Sequence, residues 1–229
     1  MVLKTIIFDI DNTLLDFMSF KRGSALAAAK AMVKSGVPAK ERELYDAIFQ
    51  VYKEKGIEYQ RTFSDVLEKY EINAHTRERA RQAGIIAYTK AKYSCLKPRP
   101  KVISTLSSLR KKYKLAVVSD APRDKAWQRL ILSGLDGFFY PVVTFTDTRL
   151  EKPNREPFEK ALGILHVSAK ETLFVGDNPY RDIIGAKKAG LITCLAKYGC
   201  EGLMPEEDVA DYSIDKFDEI LRILKEIEE

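Results

Sequence analysis

The sequence predicts an α/β protein: a parallel sheet covered by helices on both faces, with a block of helices inserted after the first strand. Three observations predict it. Short runs of β-branched and aromatic residues recur along the 229-residue chain, with stretches of helical periodicity between them. The runs lack polar alternation, as strands buried on both faces do. Between the first run and the second lie about a hundred residues with no convincing strand.

Thr5–Phe8 is the first strand, short and wholly apolar beyond its threonine. The inserted block follows. Ala25, Leu26, Ala29, Met32 and Val33 form one helical stripe, and Leu44, Ile48, Val51 and Tyr52 another. Further helices are expected at Phe63–Tyr70 and Thr76–Tyr93. Lys97-Pro98-Arg99-Pro100 then punctuates the chain, because proline disfavours helix at the residue before it. A helix from about Lys101 to Lys112 returns the chain to the sheet, whose next strands are Leu115–Val118, Val142–Phe145, Thr172–Val175 and Leu191–Leu195. Phe158, Leu162 and Leu165 mark one intervening helix, and Ile183, Ile184 and Ala186 another. The last helix carries Phe217, Ile220, Leu221 and Leu224 on one stripe. The expected result is a Rossmann-like three-layer core of residues 1–15 and 97–229, with a helical cap domain at 16–96 above the strand ends.

Composition narrows the function classes. With 45% hydrophobic and 31% charged residues the chain reads as an ordinary globular protein. No apolar run approaches a membrane span, and the amino terminus enters the first strand without a leader pattern, so a cytoplasmic setting is expected. Three cysteines without C-x-x-C spacing suit thiols in a reducing compartment, and two distant histidines argue against zinc. The net charge of +5 is spread among interleaved acids and bases, so no nucleic-acid surface is expected. Such a charge favours anionic substrates. Four Asn and four Gln beside many Lys and Glu lean toward a thermophilic composition.

The most informative segment is Asp9-Ile10-Asp11-Asn12-Thr13, directly after the first strand. Two carboxylates this close repel unless one is protonated or a cation lies between them, which suggests a metal, acid/base chemistry, or both. Three other segments follow or lie near strand ends: Ser119 with Asp120, Lys152 before Pro153, and Gly176-Asp177-Asn178-Pro179-Tyr180-Arg181-Asp182. Each alone has a plainer reading: a turn at Ser119, a solvated loop lysine at Lys152, a turn leading into a helix cap at Gly176-Asp177. Side chains at the carboxyl ends of one parallel sheet, however, converge on one crevice.

In these four segments the sequence resembles the haloacid dehalogenase superfamily, specifically its phosphatase branch. The family pattern is Asp-x-Asp-x-Thr, then Ser or Thr, then Lys, then Gly-Asp-x-x-x-x-Asp; here it reads Asp9/Asp11/Thr13, Ser119, Lys152 and Asp177/Asp182. The insertion also lies where the family's helical cap does. The resemblance implies an aspartyl-phosphate on Asp9 and proton transfer by Asp11. It implies Mg²⁺ held by Asp9, the Asp11 backbone carbonyl and Asp177. Phosphate would be gripped by Ser119 and Lys152, aided by backbone amides in the segments of Asn12 and Asp120. Thr13, Asn178 and Asp182 would support them, with Asp182 orienting Lys152 or a metal-bound water. Asn12 stands where glycine is frequent, and Asp120 where asparagine or a small residue is usual; the Asp120 side chain is expected to face away from the phosphate.

Asp11 favours phosphoester over carbon–halogen cleavage, since an oxygen leaving group needs a proton donor and a halide does not. The expected activity is hydrolysis of a small phosphorylated metabolite, by a monomer or homodimer without nucleic-acid or membrane partners. A phosphomutase shares every motif, and a non-catalytic metabolite-binding protein on the same fold is a further alternative. Specificity would come from the cap, where Lys21, Arg22 and Arg61 are candidates to meet a second anionic group.

Overall fold

Six strands pair in parallel among the described residues: β1 (Thr5–Phe8), β2 (Lys114–Ser119), β3 (Val142–Thr144), β4 (Thr172–Gly176), β5 (Ile192–Ala196) and β6 (Tyr212–Ile214). The computed structural model describes residues 2–200, 202 and 209–229. It divides into two units, Met1–Asp16 with Lys97–Glu229, and Phe17–Leu96. Helices α1 (Phe17–Lys34), α2 (Glu41–Lys55), α3 (Thr62–Leu67) and α4 (Ala74–Cys95) belong to the second unit. The first holds the sheet with α5 (Val102–Leu109), α6 (Arg123–Leu132), α7 (Phe145–Thr148), α8 (Glu156–Leu165), α9 (Ile184–Lys188) and α10 (Ile220–Glu228). No helix among the described residues is long and apolar enough to cross a membrane.

The strand order is β3-β2-β1-β4-β5-β6. The chain steps outward from β1 to β2 and β3, then crosses to β4 on the other side of β1. Connections therefore leave β1 in opposite directions, and a crevice opens outside its carboxyl end. Successive side chains of β1 serve opposite layers, as the pleat requires. Ile7 joins the cluster of Val118, Phe158, Leu165 and Phe174. Phe8 meets Phe139 at 6.1 Å and Phe217 at 5.7 Å between ring centroids. The Phe158 and Phe174 rings cross at 74° with centroids 5.0 Å apart, a favoured edge-to-face contact.

Several elements differ from the sequence expectation. β2 runs on to Ser119, so that serine sits on the sheet itself. β3 stops at Thr144, because the Thr144 hydroxyl and amide both donate to Asp147, at 2.6 and 2.9 Å, and start α7 at Phe145. β6 is three residues long, too short for a periodic signal. Leu26 and Leu221 are about two-fifths exposed and lie off their stripes. The buried stripes are Ala25, Ala28, Ala29 and Met32 in α1, and Phe217, Ile220, Ile223 and Leu224 at the carboxyl end.

The second unit has its own core, built from Ala28, Ala29, Met32, Leu44, Ile48, Val51, Val66, Leu67 and Ala80 among others. Small residues let α1 and α4 approach closely: a Cβ on Gly84 would lie 2.5 Å from the Met32 terminal methyl. Asn73 caps α4 by accepting from the Thr76 amide at 2.8 Å. Lys21 is buried within this unit. Its ammonium donates to the Ile57 carbonyl at 2.9 Å and lies 5.2–5.8 Å from the rings of Phe17, Phe20, Tyr52 and Tyr88. Arg61 is exposed, 3.8 Å from Glu68.

Candidate active site

The Asp9 amide donates to the Val175 carbonyl at 2.9 Å, extending the β1–β4 ladder and carrying the Asp9 side chain to the end of the sheet. Beyond it the loop is strapped from several sides. Arg99 Nε donates to the Asn12 carbonyl at 2.8 Å, and the Tyr198 hydroxyl to the Thr13 carbonyl at 3.0 Å. Asn12 has φ of 59°, in the left-handed region where glycine and asparagine are tolerated. That backbone demand accounts for asparagine at this position. Gly199 lies against this loop; a Cβ there would come within 2.6 Å of the Asn12 carbonyl oxygen and 2.5 Å of the Asp177 Cβ.

Asp9, Asp177 and Asp182 are all buried, and one carboxylate oxygen from each lies within 4.8 Å of the others. Lys152, 3% exposed, sits among them. Its ammonium is 2.6 Å from Asp9 Oδ1 and 2.6 Å from Asp182 Oδ1, and it donates to the Val118 carbonyl at 3.3 Å. Such crowding has a large electrostatic cost unless cations offset it. Burial pushes the Asp9 carboxyl up to about 7; Asp182 and Asp11 add to the rise while Lys152 opposes it. Burial likewise raises Asp177 well above the usual carboxylate range, with Asp182 and Asp9 contributing. Burial alone would lower Lys152, but the carboxylates of Asp182, Asp9 and Asp120 outweigh it and hold the ammonium charged.

The supporting contacts are local and specific. Thr13 Oγ1 donates to Asp177 Oδ1 at 3.1 Å. Asp182 Oδ2 accepts from the Asn178 amide at 2.9 Å, while Asn178 Oδ1 accepts from the amides of Tyr180 and Arg181 at 3.0 Å. A π-helical turn over Pro179–Ile183 brings Asp182 back against β4. The approach is so close that a Cβ on Gly176 would lie 2.5 Å from Asp182 Oδ2, so glycine is required there. Ser119 Oγ is buried and accepts from the Ala121 amide at 3.2 Å. Asp120 is held by two partners: Oδ1 accepts from the Lys152 amide at 2.9 Å, and Oδ2 pairs with Arg181 at 3.2 Å.

One contact has no counterpart in the sequence expectation. Arg129, 4% exposed on α6, places Nη1 2.6 Å from Asp11 Oδ2. Its signal in the sequence is its spacing, since it shares a buried helical stripe with Ala126 and Leu130. Chemically, the site offers a buried carboxylate held by an ammonium, a neighbouring carboxylate held by a guanidinium, and three convergent carboxylate oxygens able to take a hard cation.

A family model described as haloacid dehalogenase-like hydrolase matches residues 3–190. The chain is 34% identical over 232 residues to a glyceraldehyde 3-phosphate phosphatase of Methanopyrus kandleri, covering 99% of both chains. It is 33% identical over 231 residues, again with 99% of each covered, to the protein of that name from Methanocaldococcus jannaschii. Among solved structures it resembles the HAD-hydrolase YfnB of Bacillus subtilis bound to magnesium, with a TM-score of 0.70 and 25% identity over 98% of this chain and 100% of that one.

Proposed function

Since the chain belongs to the haloacid dehalogenase-like hydrolase family, we propose that it is a phosphatase of a small phosphomonoester, working through an aspartyl-phosphate on Asp9, with glyceraldehyde 3-phosphate as the leading substrate. The observation that carries this reading is buried Asp9 bridged to Asp182 by the Lys152 ammonium, with Asp177 alongside. Relatives named for this activity, matching over nearly their whole length, support the substrate class.

In this reading Asp9 attacks phosphorus and the ester oxygen departs. Asp11 donates a proton to that oxygen, then takes one from the water that breaks the aspartyl-phosphate. Lys152 and Ser119 hold the non-bridging phosphate oxygens, with backbone amides at Asn12 and Asp120 adding donors. Asp182 keeps the ammonium placed from behind, and Thr13 and Asn178 fix the carboxylates around it. Attack needs ionised Asp9, and burial opposes that form. Asp182 is engaged by Lys152 and the Asn178 amide, which leaves Asp9 and Asp177 as the hard oxygen donors of the cluster; with the Asp11 carbonyl they would hold Mg²⁺. When bound, the metal supplies positive charge that favours the Asp9 carboxylate and offsets the phosphate. The free thiols Cys95, Cys194 and Cys200 suit a cytoplasmic setting.

Phosphate release from glyceraldehyde 3-phosphate, phosphoglycolate, hexose phosphates and nucleoside monophosphates tests the reading, with Mg²⁺ present and Asp9→Asn as control. The expected pattern is fastest turnover of the triose phosphate and no turnover by the variant. Turnover that survives in Asp9→Asn, or no phosphate from any substrate, would sink it.

A further inference from the structure

We propose that Arg129 is a positioning residue that sets the rotamer of Asp11 for proton transfer. The proposal rests on the reading of Asp11 as the acid/base group. Three observations support it. Arg129 lies on α6, the helix that follows β2, yet its guanidinium reaches the loop after β1 and meets Asp11 Oδ2 at 2.6 Å. The arginine is 4% exposed and the Asp11 side chain 26%, so a buried cation holds a carboxylate at the edge of the solvent. Finally, Arg129 occupies a stripe otherwise filled by Ala126 and Leu130, where an apolar side chain would be the cheaper way to pack the helix.

Its own backbone is also restrained: the Ser133 hydroxyl donates to the Arg129 carbonyl at 2.8 Å. A buried guanidinium donating from Nη1 to Asp11 Oδ2 removes the rotation that an aspartate near solvent otherwise retains. Proton transfer depends steeply on such placement, since a misplacement of about 1 Å can cost about 100-fold in rate.

The discriminating experiment compares leaving groups. Glycerol phosphate releases a basic alkoxide that needs a proton, whereas p-nitrophenolate leaves without one. Arg129→Gln is expected to lower kcat on the alkyl ester by about 10- to 100-fold with little change in KM. The same variant should slow the nitrophenolate burst by less than about threefold, since that step needs no proton donor. Arg129→Lys, which keeps the charge but not the planar fork, should fall between, and it carries the same comparison if the glutamine variant does not fold. In an Asp11→Asn background the Arg129 change should add nothing further. Equal losses on both esters, additive losses in the double variant, or an unaffected Arg129→Gln would each overturn the proposal. Wild-type turnover of the alkyl ester by Asp11→Asn would instead show that the acid/base reading is at fault, and the positioning role would fall with it.

Discussion

Metal binding at this site should be tightly coupled to protons, and the coupling can be worked from Asp9. Its carboxyl is pushed from 3.8 to about 7 in the folded chain, chiefly by burial. Between about pH 4 and 7 the metal-free native state therefore keeps a proton that the unfolded chain has given up. Stability of the metal-free protein should fall as pH rises through that window. A shift of about three pH units corresponds to an upper bound of about 4 kcal/mol from Asp9 alone. A divalent cation must displace that proton, and Asp177, raised in the same direction, adds to the release. Calorimetric Mg²⁺ titrations at pH 5.5, 6.5 and 7.5, each in two buffers of different ionisation enthalpy, count the protons directly. Affinity is expected to rise about tenfold or more per pH unit below pH 7 and then level off, with about one to two protons released at the acid end. Melting curves with EDTA and with Mg²⁺ should diverge increasingly toward neutral pH. An affinity independent of pH, with no proton release, would refute the electrostatic account of the site.

Other perturbations test single contacts. Lys152→Met leaves three buried carboxylates without their ammonium and should cost about 3–5 kcal/mol at pH 7.5 by urea denaturation, less at pH 5.5 where the carboxyls can protonate. Gly176→Ala forces a Cβ into Asp182, and a loss of about 1–3 kcal/mol in chemical denaturation is expected together with reduced kcat. Thr13→Val removes the hydroxyl that donates to Asp177 and should weaken Mg²⁺ binding by about 10-fold or more, read by calorimetry. Met32→Ala empties a fully buried position in the second unit and should destabilise the protein by about 2–5 kcal/mol, measured from the denaturation midpoint.

Much of the sheet was legible because its strands are contiguous runs whose burial on both faces removes polar alternation. β1 and β4 carry that mark in full, and Asp9 and Asp177 follow it directly. Boundaries were less legible where a side chain decides them, as Asp147 does when it ends β3 by capping α7. Two helical stripes held in register but each included one flanking residue that packing leaves exposed, Leu26 and Leu221, since the period alone does not set how far the buried face extends on either side. Asp120 is unusual by residue type alone, but its partners are not local: the Lys152 amide and Arg181 come from segments some 30 and 60 residues away.

The sequence by itself determined the chemical inventory: an aspartate pair after the first strand, a serine, a lysine and a second aspartate pair, each near a strand end. These signals are local, so residue type and spacing carry them. The tertiary structure decided which groups meet. Lys152 reaching both Asp9 and Asp182, Gly176 admitting Asp182, and above all Arg129 reaching Asp11 across 118 positions depend on strand order and helix packing. Local periodicity places a residue on a face of its own element. What it faces is fixed only when the elements pack.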